Sequence, residues 1–376
     1  MNDLISRQAL FKCAVGLKPD LTEWKSPDYY FFPDDIARYP DAWCYVVYSR
    51  RGPGKTYSAL RYAYENNICM AYLKRTIDDV SIICSDKKGI DMSPYVPINR
   101  DGHYAIKPQL ISKGIGGFYD QYDDDGKLTG SPFSYCIALN AMKTVKGMDL
   151  SICDWMLLDE FIPQAGEIVK HAEGEMLLDL YMTIRRDRLK RGREDLKLIL
   201  FANSENISTP ITNELEIVDA MVELNNSGRT HLYIEERGIM IHHITEQEIP
   251  LREDETSGIM NAMRGTAWAS KAFGGQFANN DFSGIGHSRL KNYLPVCGYT
   301  YKNKNYYIYN KEGVYYICKA QHNGEMYDLA KESDQNRFYY DVVLDVRDAF
   351  IAGKLTCQKY SMYDLIVNYK QFFKIV

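Results

Sequence analysis

Short apolar runs recur along the chain and alternate with segments of helical spacing. The runs lie at 43–48, 69–73, 155–158 and 196–201. Unbroken apolar runs that end in turn signals are typical of strands buried on both faces of a parallel sheet. The pattern therefore predicts a doubly wound α/β domain.

Other patterns flank these runs. Turn signals between positions 99 and 139 predict a β-hairpin insertion, and the acidic run at 123–125 is predicted to be a solvated turn. Residues 6–15 have helical character. Three tyrosine-rich runs after position 293 predict an antiparallel meander, and the segments after it predict helices at 341–352 and 363–373.

Together these patterns predict four parts of the chain. We expect an N-terminal extension packed on the core at 1–40 and the α/β domain at 41–228. Residues 229–285 are polar and predict a linker or small helical connector. Residues 286–376 predict a separate α+β domain.

The composition is typical of a globular protein in a reducing compartment. Of the 376 residues, 45% are hydrophobic and 25% are charged. Nine cysteines occur without a Cys-x-x-Cys pair or a nearby histidine cluster, which argues against a disulfide framework and against a zinc site. Because no apolar run has the roughly 20 residues of a membrane helix, and the N-terminus lacks a signal-peptide core, we expect a cytosolic protein without membrane association.

The distribution of charge is more informative than the net charge of −5. Residues 286–376 carry more lysine and arginine than aspartate and glutamate, and they hold nearly half of the 30 tyrosines. Basic and aromatic residues together are compatible with nucleic-acid contact, whereas tyrosine also favours strands. The sequence leaves both interpretations open.

The run at 43–48 leads into the most informative stretch of the sequence. Gly52 and Gly54 stand in a basic turn that is followed by a helical segment at 57–66. Glycines of this kind let successive backbone N–H groups converge on a phosphate, and the helix adds the positive end of its dipole. The stretch therefore predicts a phosphate-binding loop between a strand and a helix.

Lysine and threonine follow these glycines in the order that the phosphate loop requires. Lys55 is expected to reach the β- and γ-phosphates of ATP, and the Thr56 hydroxyl is expected to ligate Mg²⁺. Ser49 departs from the usual pattern, since it occupies the place of the first glycine. The alternative is a basic surface turn without a ligand.

Two carboxylates directly follow the run at 155–158. In P-loop ATPases with an additional strand, the first acid holds Mg²⁺ and the second polarises the attacking water. Asp159 and Glu160 suit these two roles. Solvated acids that cap a strand end are the alternative.

Basic residues end the helical segment at 173–190. Arg185, Arg186 and Arg188 lie where cations favour the helix dipole, and an arginine there can also reach a neighbouring subunit's γ-phosphate as an arginine finger. Both interpretations remain open. Asn203, after the run at 196–201, suits a sensor of the γ-phosphate or a turn cap.

With these residues in view, the chain resembles the DNA-packaging (encapsidation) ATPases of phi-29-like podoviruses, which are small relatives of the large terminase subunits. The matching segments are 46–57, 72–75, 157–162, 183–188 and 201–203. They occur in order within less than half of the chain. The resemblance implies an additional-strand, terminase-like P-loop ATPase domain in an α/β fold, and a smaller α+β, RNase H-like C-terminal domain without nuclease activity.

The resemblance also implies roles for individual residues. Its catalytic set is Lys55, Asp159, Glu160, Arg186, Arg188 and Lys146. Its nucleotide-binding set is Arg50, Arg51, Gly52, Pro53, Gly54, Lys55, Thr56, Tyr57, Arg75 and Asn203, and its metal ligands are Thr56 and Asp159. Within these sets, Arg186 is the expected arginine finger, Lys143 is an alternative to Lys146, and Lys74 competes with Arg75 as the sensor in the same subunit.

The implied activity is ATP hydrolysis that drives double-stranded viral DNA into the procapsid. Its cofactors are ATP and Mg²⁺, and its partners are the DNA, the portal or connector and other copies of the chain in a pentameric ring. Whether a packaging RNA takes part stays open. The ring is expected in the host cytoplasm, bound transiently to the procapsid. The alternatives are a P-loop helicase, a terminase with an active nuclease, or an ATP-binding assembly scaffold.

Overall fold

A computed structural model describes residues 24–85, 91–141, 145, 147–164, 166–167, 169–252, 258–263, 265–266, 277 and 280–376. The chain divides into two compact units. One unit combines Met1–Ile211 with Leu224–Ala278, and the other combines Thr212–Glu223 with Asn279–Val376. The first unit contains a nine-stranded sheet and the second a five-stranded sheet, both counted over the described residues, so the predicted mixed α/β architecture is confirmed.

The strands of the first unit follow the apolar runs closely. In chain order they are β1 (Cys44–Ser49), β2 (Met70–Lys74), β3 (Lys107–Ser112), β4 (Ile115–Tyr119), β5 (Ser134–Ala138), β6 (Trp155–Asp159), β7 (Lys197–Asn203), β8 (His231–Ile234) and β9 (Ile239–Ile244). The strands of the second unit are β10 (Leu294–Tyr301), β11 (Lys304–Lys311), β12 (Val314–Cys318), β13 (Met326–Asp328) and β14 (Leu355–Cys357).

The α-helices of the described residues lie between and after these strands. They are α1 (Pro33–Arg38), α2 (Lys55–Glu65), α3 (Ile77–Cys84), α4 (Val96–Gly102), α5 (Glu173–Arg185), α6 (Pro210–Glu214), α7 (Val218–Ser227), α8 (Gly258–Met263), α9 (Glu332–Phe338), α10 (Leu344–Ile351), α11 (Tyr360–Val367) and α12 (Tyr369–Phe372). A π-helical turn, Tyr339–Val343, joins α9 to α10. None of the helices in this part of the chain combines the length and the hydrophobicity that crossing a bilayer requires.

The nine-stranded sheet has the strand order β3-β4-β5-β2-β6-β7-β1-β9-β8. The six strands from β5 to β9 in this order pair in parallel. Antiparallel pairs close both edges, with β3 and β4 on one side and β8 on the other. Strand β1, which leads into the candidate phosphate loop, is buried at every position and lies between two parallel partners.

The prediction of a linker at 229–285 is wrong for its first part. Strand β9 pairs in parallel with β1, and β8 pairs with β9 at the sheet edge. All six positions of β9 are buried. His242 and His243 interrupt its apolar run, and this polar pair concealed a core strand. Much of the rest of 229–285 lies outside the described residues.

The prediction of hairpins between 99 and 139 is confirmed in part. Strands β3 and β4 form an antiparallel hairpin, whereas β5 is a parallel partner of β2 within the sheet. The acidic run is a turn, as predicted, in which the Asp123 carboxylate accepts hydrogen bonds from the backbone of Asp125 and Lys127.

The N-terminal extension packs on the core from residue 24 onward, as predicted. Phe32 is fully buried, and its ring meets those of Tyr45, Trp155 and Phe201 edge to face, with centroids 5.4–5.8 Å apart. The helix predicted at 6–15 lies outside the described residues.

The second unit contains the predicted meander. Its strand order is β13-β10-β11-β12-β14, in which β10, β11 and β12 are antiparallel neighbours and the edge strands pair in parallel. Its helices begin at Glu332 and Tyr360, earlier than predicted. Most of its tyrosines are buried, including Tyr299, Tyr327 and Tyr369, which favours a packing role for them over nucleic-acid contact.

A short segment predicted to lie in the α/β domain belongs to this second unit. Within 212–223, Glu214 accepts a hydrogen bond from Lys302 at 2.6 Å, and Glu216 forms an ion pair with Lys304. These contacts join positions almost 90 residues apart in the chain. They explain why the boundary predicted at residue 228 does not separate the two units.

Candidate functional site

Three central strands of the nine-stranded sheet end side by side, at the carboxyl-terminal ends of its parallel strands. Strands β6, β7 and β1 are neighbours in parallel, so their carboxyl ends point the same way. Ser49, at the end of β1, pairs with Asn203 at the end of β7, and Asp159 at the end of β6 pairs with Phe201. Ligands of open α/β sheets bind outside the carboxyl ends of the strands. The fold thus brings the three sequence signals together.

The loop after β1 has the backbone conformation that its glycines permit. Gly52 and Gly54 have φ angles of 91° and 92°, values that residues other than glycine rarely adopt. Gly54 then caps the N-terminus of α2. Ser49 instead belongs to β1 and pairs along it. Because its backbone is that of a strand, serine replaces the usual glycine without conformational strain.

Lys55 is the first residue of α2 and is almost fully buried. Its ammonium group donates to the Ser49 hydroxyl at 2.5 Å and to the Arg50 carbonyl at 3.3 Å. Burial lowers the pKa of Lys55 to about 8, although Asp159 partly opposes the shift. A buried ammonium group with two neutral acceptors is prepared for an anion such as a phosphate.

Thr56 and Asp159 form the second part of the site. The Thr56 hydroxyl donates to Asp159 Oδ2 at 2.8 Å. The Tyr72 hydroxyl contacts the same oxygen at 3.5 Å. Hydroxyl and carboxylate oxygens are ligands that Mg²⁺ prefers, so the adjacent Thr56 and Asp159 side chains fit the predicted metal ligands.

Glu160 has an unusual backbone conformation. Its φ angle is 58°, and its N–H group donates to Asp159 Oδ1 at 3.1 Å. Positive φ at a residue other than glycine or asparagine stores strain, and such strain is concentrated at functional sites. Its carboxylate accepts only a long hydrogen bond, 3.4 Å, from Gln164 among the bonds of the described residues.

These groups line one cleft of about 350 Å³. Its walls are residues 51–57 together with Asp159, Glu160, Ala202 and Asn203. The cleft therefore combines the loop backbone, a buried cation, two carboxylates and an amide. This set can hold a polyphosphate with its divalent cation and place a carboxylate beside it.

Two solved DNA packaging motors share the fold of this chain. The Phi-28 gp11 DNA packaging motor matches with a TM-score of 0.59 and 16% sequence identity, over 93% of this chain and 99% of that one. The bacteriophage Phi-29 viral genome packaging motor assembly matches with a TM-score of 0.57 and 14% identity, over 92% of this chain and 100% of that one. No protein-family model matches the sequence, and no curated protein does.

This likeness covers both units, whereas the sequence resemblance covered less than half of the chain. At these identities it concerns the fold, and it supports the resemblance at that level. The roles of single residues depend on the geometry of this chain.

The three basic residues at the end of α5 differ in their surroundings. Arg186 is 79% exposed, with Asp187 4.0 Å away. Arg185 forms a bidentate pair with Asp195 at 2.6 and 2.9 Å. The fully buried Arg188 donates to the carbonyls of three residues and to a carboxylate. These partners are Ser151, Cys153, Glu194 and Asp154.

These placements correct one prediction and favour another. Because Arg188 is enclosed by acceptors of its own unit, it holds the fold together and is not available as a finger to a neighbouring chain. Arg186 is the most exposed of these three arginines. Lys143 and Lys146 lie outside the described residues.

Two other predicted nucleotide-binding arginines point elsewhere. The Arg50 guanidinium donates to the carbonyls of Ile249 and Pro250, so its side chain anchors the loop and does not enter the cleft. Arg75 forms an ion pair with Glu173 at 2.8 Å and donates to the Phe161 carbonyl. Lys74 lies 5.7 Å from the centre of the Tyr72 ring. None of these three side chains lines the cleft.

Sequence reasoning missed a second polar cluster in the first unit. Asp35 on α1, His231 on β8 and His242 on β9 offer ligand atoms within 4.8 Å of one another. Burial lowers the pKa of His242, but hydrogen bonds to Asp35 and Glu248 outweigh this effect and raise it to about 9. The three residues are far apart in the sequence, so no local pattern announces the cluster.

Proposed function

We propose that this chain is an ATP-driven motor that translocates viral double-stranded DNA into a procapsid. The observation that carries the proposal is the cleft in which the buried Lys55 and the Thr56–Asp159 pair meet Glu160. The likeness in fold to two DNA packaging motors supports the biological setting. In this proposal the first unit is a P-loop ATPase domain of the additional-strand class, and the second is an RNase H-like domain without nuclease activity.

In the proposed mechanism, the loop backbone and Lys55 bind the phosphates of ATP. The Lys55 ammonium exchanges its bonds to Ser49 and Arg50 for phosphate oxygens, which restores its full charge. Thr56 and Asp159 would hold Mg²⁺, which would neutralise charge on the phosphates. The N-terminus of α2 adds its dipole to the same anion.

Glu160 orients and deprotonates the attacking water. Its carboxylate is held at the rim of the cleft by the strained backbone at φ 58° and the long contact to Gln164. Replacement by glutamine removes the base and keeps the shape. The Glu160→Gln chain is expected to bind ATP while its turnover falls roughly 10²- to 10⁴-fold. Normal turnover in this chain would refute the assignment.

Arg186 completes the site of a neighbouring chain. It is exposed at the end of α5, with an acidic partner only at 4.0 Å, so it is free to approach a phosphate of the next subunit. This role requires a closed ring of identical chains, in which each interface is the same. Hydrolysis at one interface then loosens that interface, and the released motion moves DNA-gripping residues.

A mixture of two inactive chains tests the ring directly. In rings assembled on linear double-stranded DNA, Glu160→Gln subunits lend Arg186 to Arg186→Ala subunits, which keep Glu160. An equal mixture is expected to regain about one quarter of wild-type ATP hydrolysis, because half of the chains keep Glu160 and half of their neighbours keep Arg186. Lys190→Ala, at an equally exposed cation of the same segment, is the control that keeps full activity.

Two other outcomes would point elsewhere. Absence of recovery in the mixture, with both single variants inactive, would place the arginine within its own chain and favour a helicase working as separate subunits. ATP binding by wild type without DNA-stimulated hydrolysis would favour the scaffold alternative. Contact of a motor with DNA should also be electrostatic, so the stimulation by DNA is expected to fall steeply with salt.

A further inference from the structure

The cluster of Asp35, His231 and His242 lies apart from the nucleotide cleft. Its three residues come from the N-terminal extension and from the two strands at one edge of the sheet. Asp35 Oδ1 lies 3.1 Å from His231 Nε2, and Asp35 Oδ2 lies 2.8 Å from His242 Nδ1. The side chains of all three are at least nine-tenths buried. Both imidazoles thus turn one ring nitrogen towards a single carboxylate.

The outer nitrogen of each histidine also has an oxygen partner. His242 Nε2 lies 3.0 Å from Glu248 Oε2, and His231 Nδ1 lies 2.8 Å from the Thr230 hydroxyl. Histidines that bind metals almost always donate their other N–H group to a carboxylate, carbonyl or water, which fixes the ring and the tautomer. His242 has this outer arrangement through Glu248, whereas the outer nitrogen of His231 faces the Thr230 hydroxyl and, at 3.5 Å, the Arg38 guanidinium.

We propose that Asp35, His231 and His242 bind a zinc ion. Two imidazole nitrogens and a carboxylate are a ligand set that zinc accepts, with a fourth place for water or another oxygen. The Tyr30 hydroxyl donates a hydrogen bond to Asp35 Oδ2 at 2.5 Å and thereby orients this carboxylate.

The zinc ion would fasten the N-terminal extension to the sheet edge beside the candidate phosphate loop. Tyr30, which contacts Asp35 through its hydroxyl, donates its backbone N–H group to the Pro53 carbonyl at 2.8 Å. The neighbouring Tyr29 ring packs against Gly54, where an added Cβ would lie 3.4 Å from it. The extension thus covers the loop, and the cluster secures the extension.

Zinc titration of the full-length, tag-free chain after treatment with a chelator tests this proposal. The wild type is expected to bind about one zinc ion per chain in competition with a chromogenic zinc chelator. Asp35→Asn and His231→Gln are expected to lose this binding. Asp159→Asn, which removes a ligand of the nucleotide cleft, and His243→Gln, the adjacent buried histidine of β9, are expected to keep it.

Glu248→Gln keeps the test decisive if the buried variants fail to fold. Glu248 is one-third exposed and touches only the outer nitrogen of His242 among the proposed ligands, so the fold should tolerate the change. Zinc affinity is expected to fall about 10- to 100-fold. Wild-type chain that takes up no zinc, or zinc binding that Glu248→Gln and His231→Gln leave unchanged, would overturn the proposal. Loss of zinc in Asp159→Asn alone would assign the ion to the nucleotide cleft instead.

Discussion

Two buried cations of the first unit have opposite surroundings. Lys55 ends in the candidate nucleotide cleft with one hydroxyl and one carbonyl as hydrogen-bond acceptors. Arg188 follows β6 in the sequence and donates to three backbone carbonyls and to the Asp154 carboxylate. Both are burials of positive charge, but only Arg188 has a carboxylate among its hydrogen-bond partners, whereas both partners of Lys55 are neutral.

The difference distinguishes the side chain that we propose binds an anion, Lys55, from one that stabilises the fold, Arg188. A buried cation with too few partners raises the free energy of the empty protein and gains when an anion arrives. A cation that already donates to three carbonyls and a carboxylate of its own chain gains little from a ligand. Sequence position alone did not reveal this, since Arg186 and Arg188 are two residues apart and only one of them is buried.

The largest expected effects come from replacing Arg188 or Lys55 with methionine, which removes the charge and keeps most of the side-chain volume. Arg188→Met leaves the carbonyls of Ser151, Cys153 and Glu194 without this donor, and it leaves Asp154 with the longer ion pair to Arg193 at 3.3 Å. The free energy of unfolding is expected to fall by about 3–5 kcal/mol. Lys55→Met removes an ammonium group that burial disfavours, and is expected to leave stability unchanged or raise it by about 1–3 kcal/mol. Urea denaturation without nucleotide measures both.

ATP affinity should distinguish the same two variants in the reverse order to stability. Lys55→Met is expected to lose ATP affinity, whereas folded Arg188→Met keeps it. Arg186→Met, a matched change at an exposed arginine, is expected to alter stability by no more than about 0.5 kcal/mol. A Lys55→Met chain that is strongly destabilised would contradict the comparison.

A second, smaller effect concerns protons. The pKa of Lys55 is lowered to about 8 in the empty cleft, and phosphate oxygens are expected to return it towards its ordinary value of 10.5. Nucleotide binding should therefore take up a fraction of a proton between about pH 8 and pH 10, and none near pH 6. Titration calorimetry in buffers of different ionisation enthalpy measures this uptake.

The sign can be checked on stability as well. Because the folded-state pKa of Lys55 lies below its unfolded value, the cost of its burial is fully present below about pH 8 and disappears as the pH rises towards 10.5. The stability difference between wild type and Lys55→Met is expected to shrink over this range. A difference that stays constant from pH 7 to pH 10 would show that the lysine is not destabilised by burial.

The smallest expected effect is at Ser49. Its hydroxyl accepts a hydrogen bond from the Lys55 ammonium at 2.5 Å, which ATP would replace under the proposed function. Ser49→Ala removes a hydrogen bond that stabilises the nucleotide-free protein by about 1 kcal/mol. ATP is therefore expected to bind up to about 5-fold more tightly. Equilibrium binding of a fluorescent ATP analogue measures the change. Weaker binding than in wild type would mean that Ser49 serves the bound nucleotide and not the empty loop.

Local sequence patterns were sufficient to predict which strand ends form the cleft. The apolar runs correctly predicted β1, β2, β6 and β7, and the polar residues at their ends meet because parallel strands end at the same edge. Each of these signals lies within a few neighbouring positions. The backbone strain at Glu160, by contrast, has no sequence signature.

Features that depend on distant residues could not be predicted. Strand β9 was missed because His242 and His243 resemble a polar segment until Asp35 and Tyr48 are placed beside them. The boundary at 228 failed because Glu214 pairs with Lys302. Arg188 was taken for a candidate finger because its acceptors come from segments up to 37 positions away.

Strand β1 also has a mechanical consequence. Parallel partners flank it on both sides, so sliding it along its own axis must break two ladders of hydrogen bonds at once. A pull on the loop that follows it is therefore shared between β7 and β9 before the strand yields. Work done on this loop passes into the centre of the sheet, where tension is resisted in shear and not by peeling from an edge.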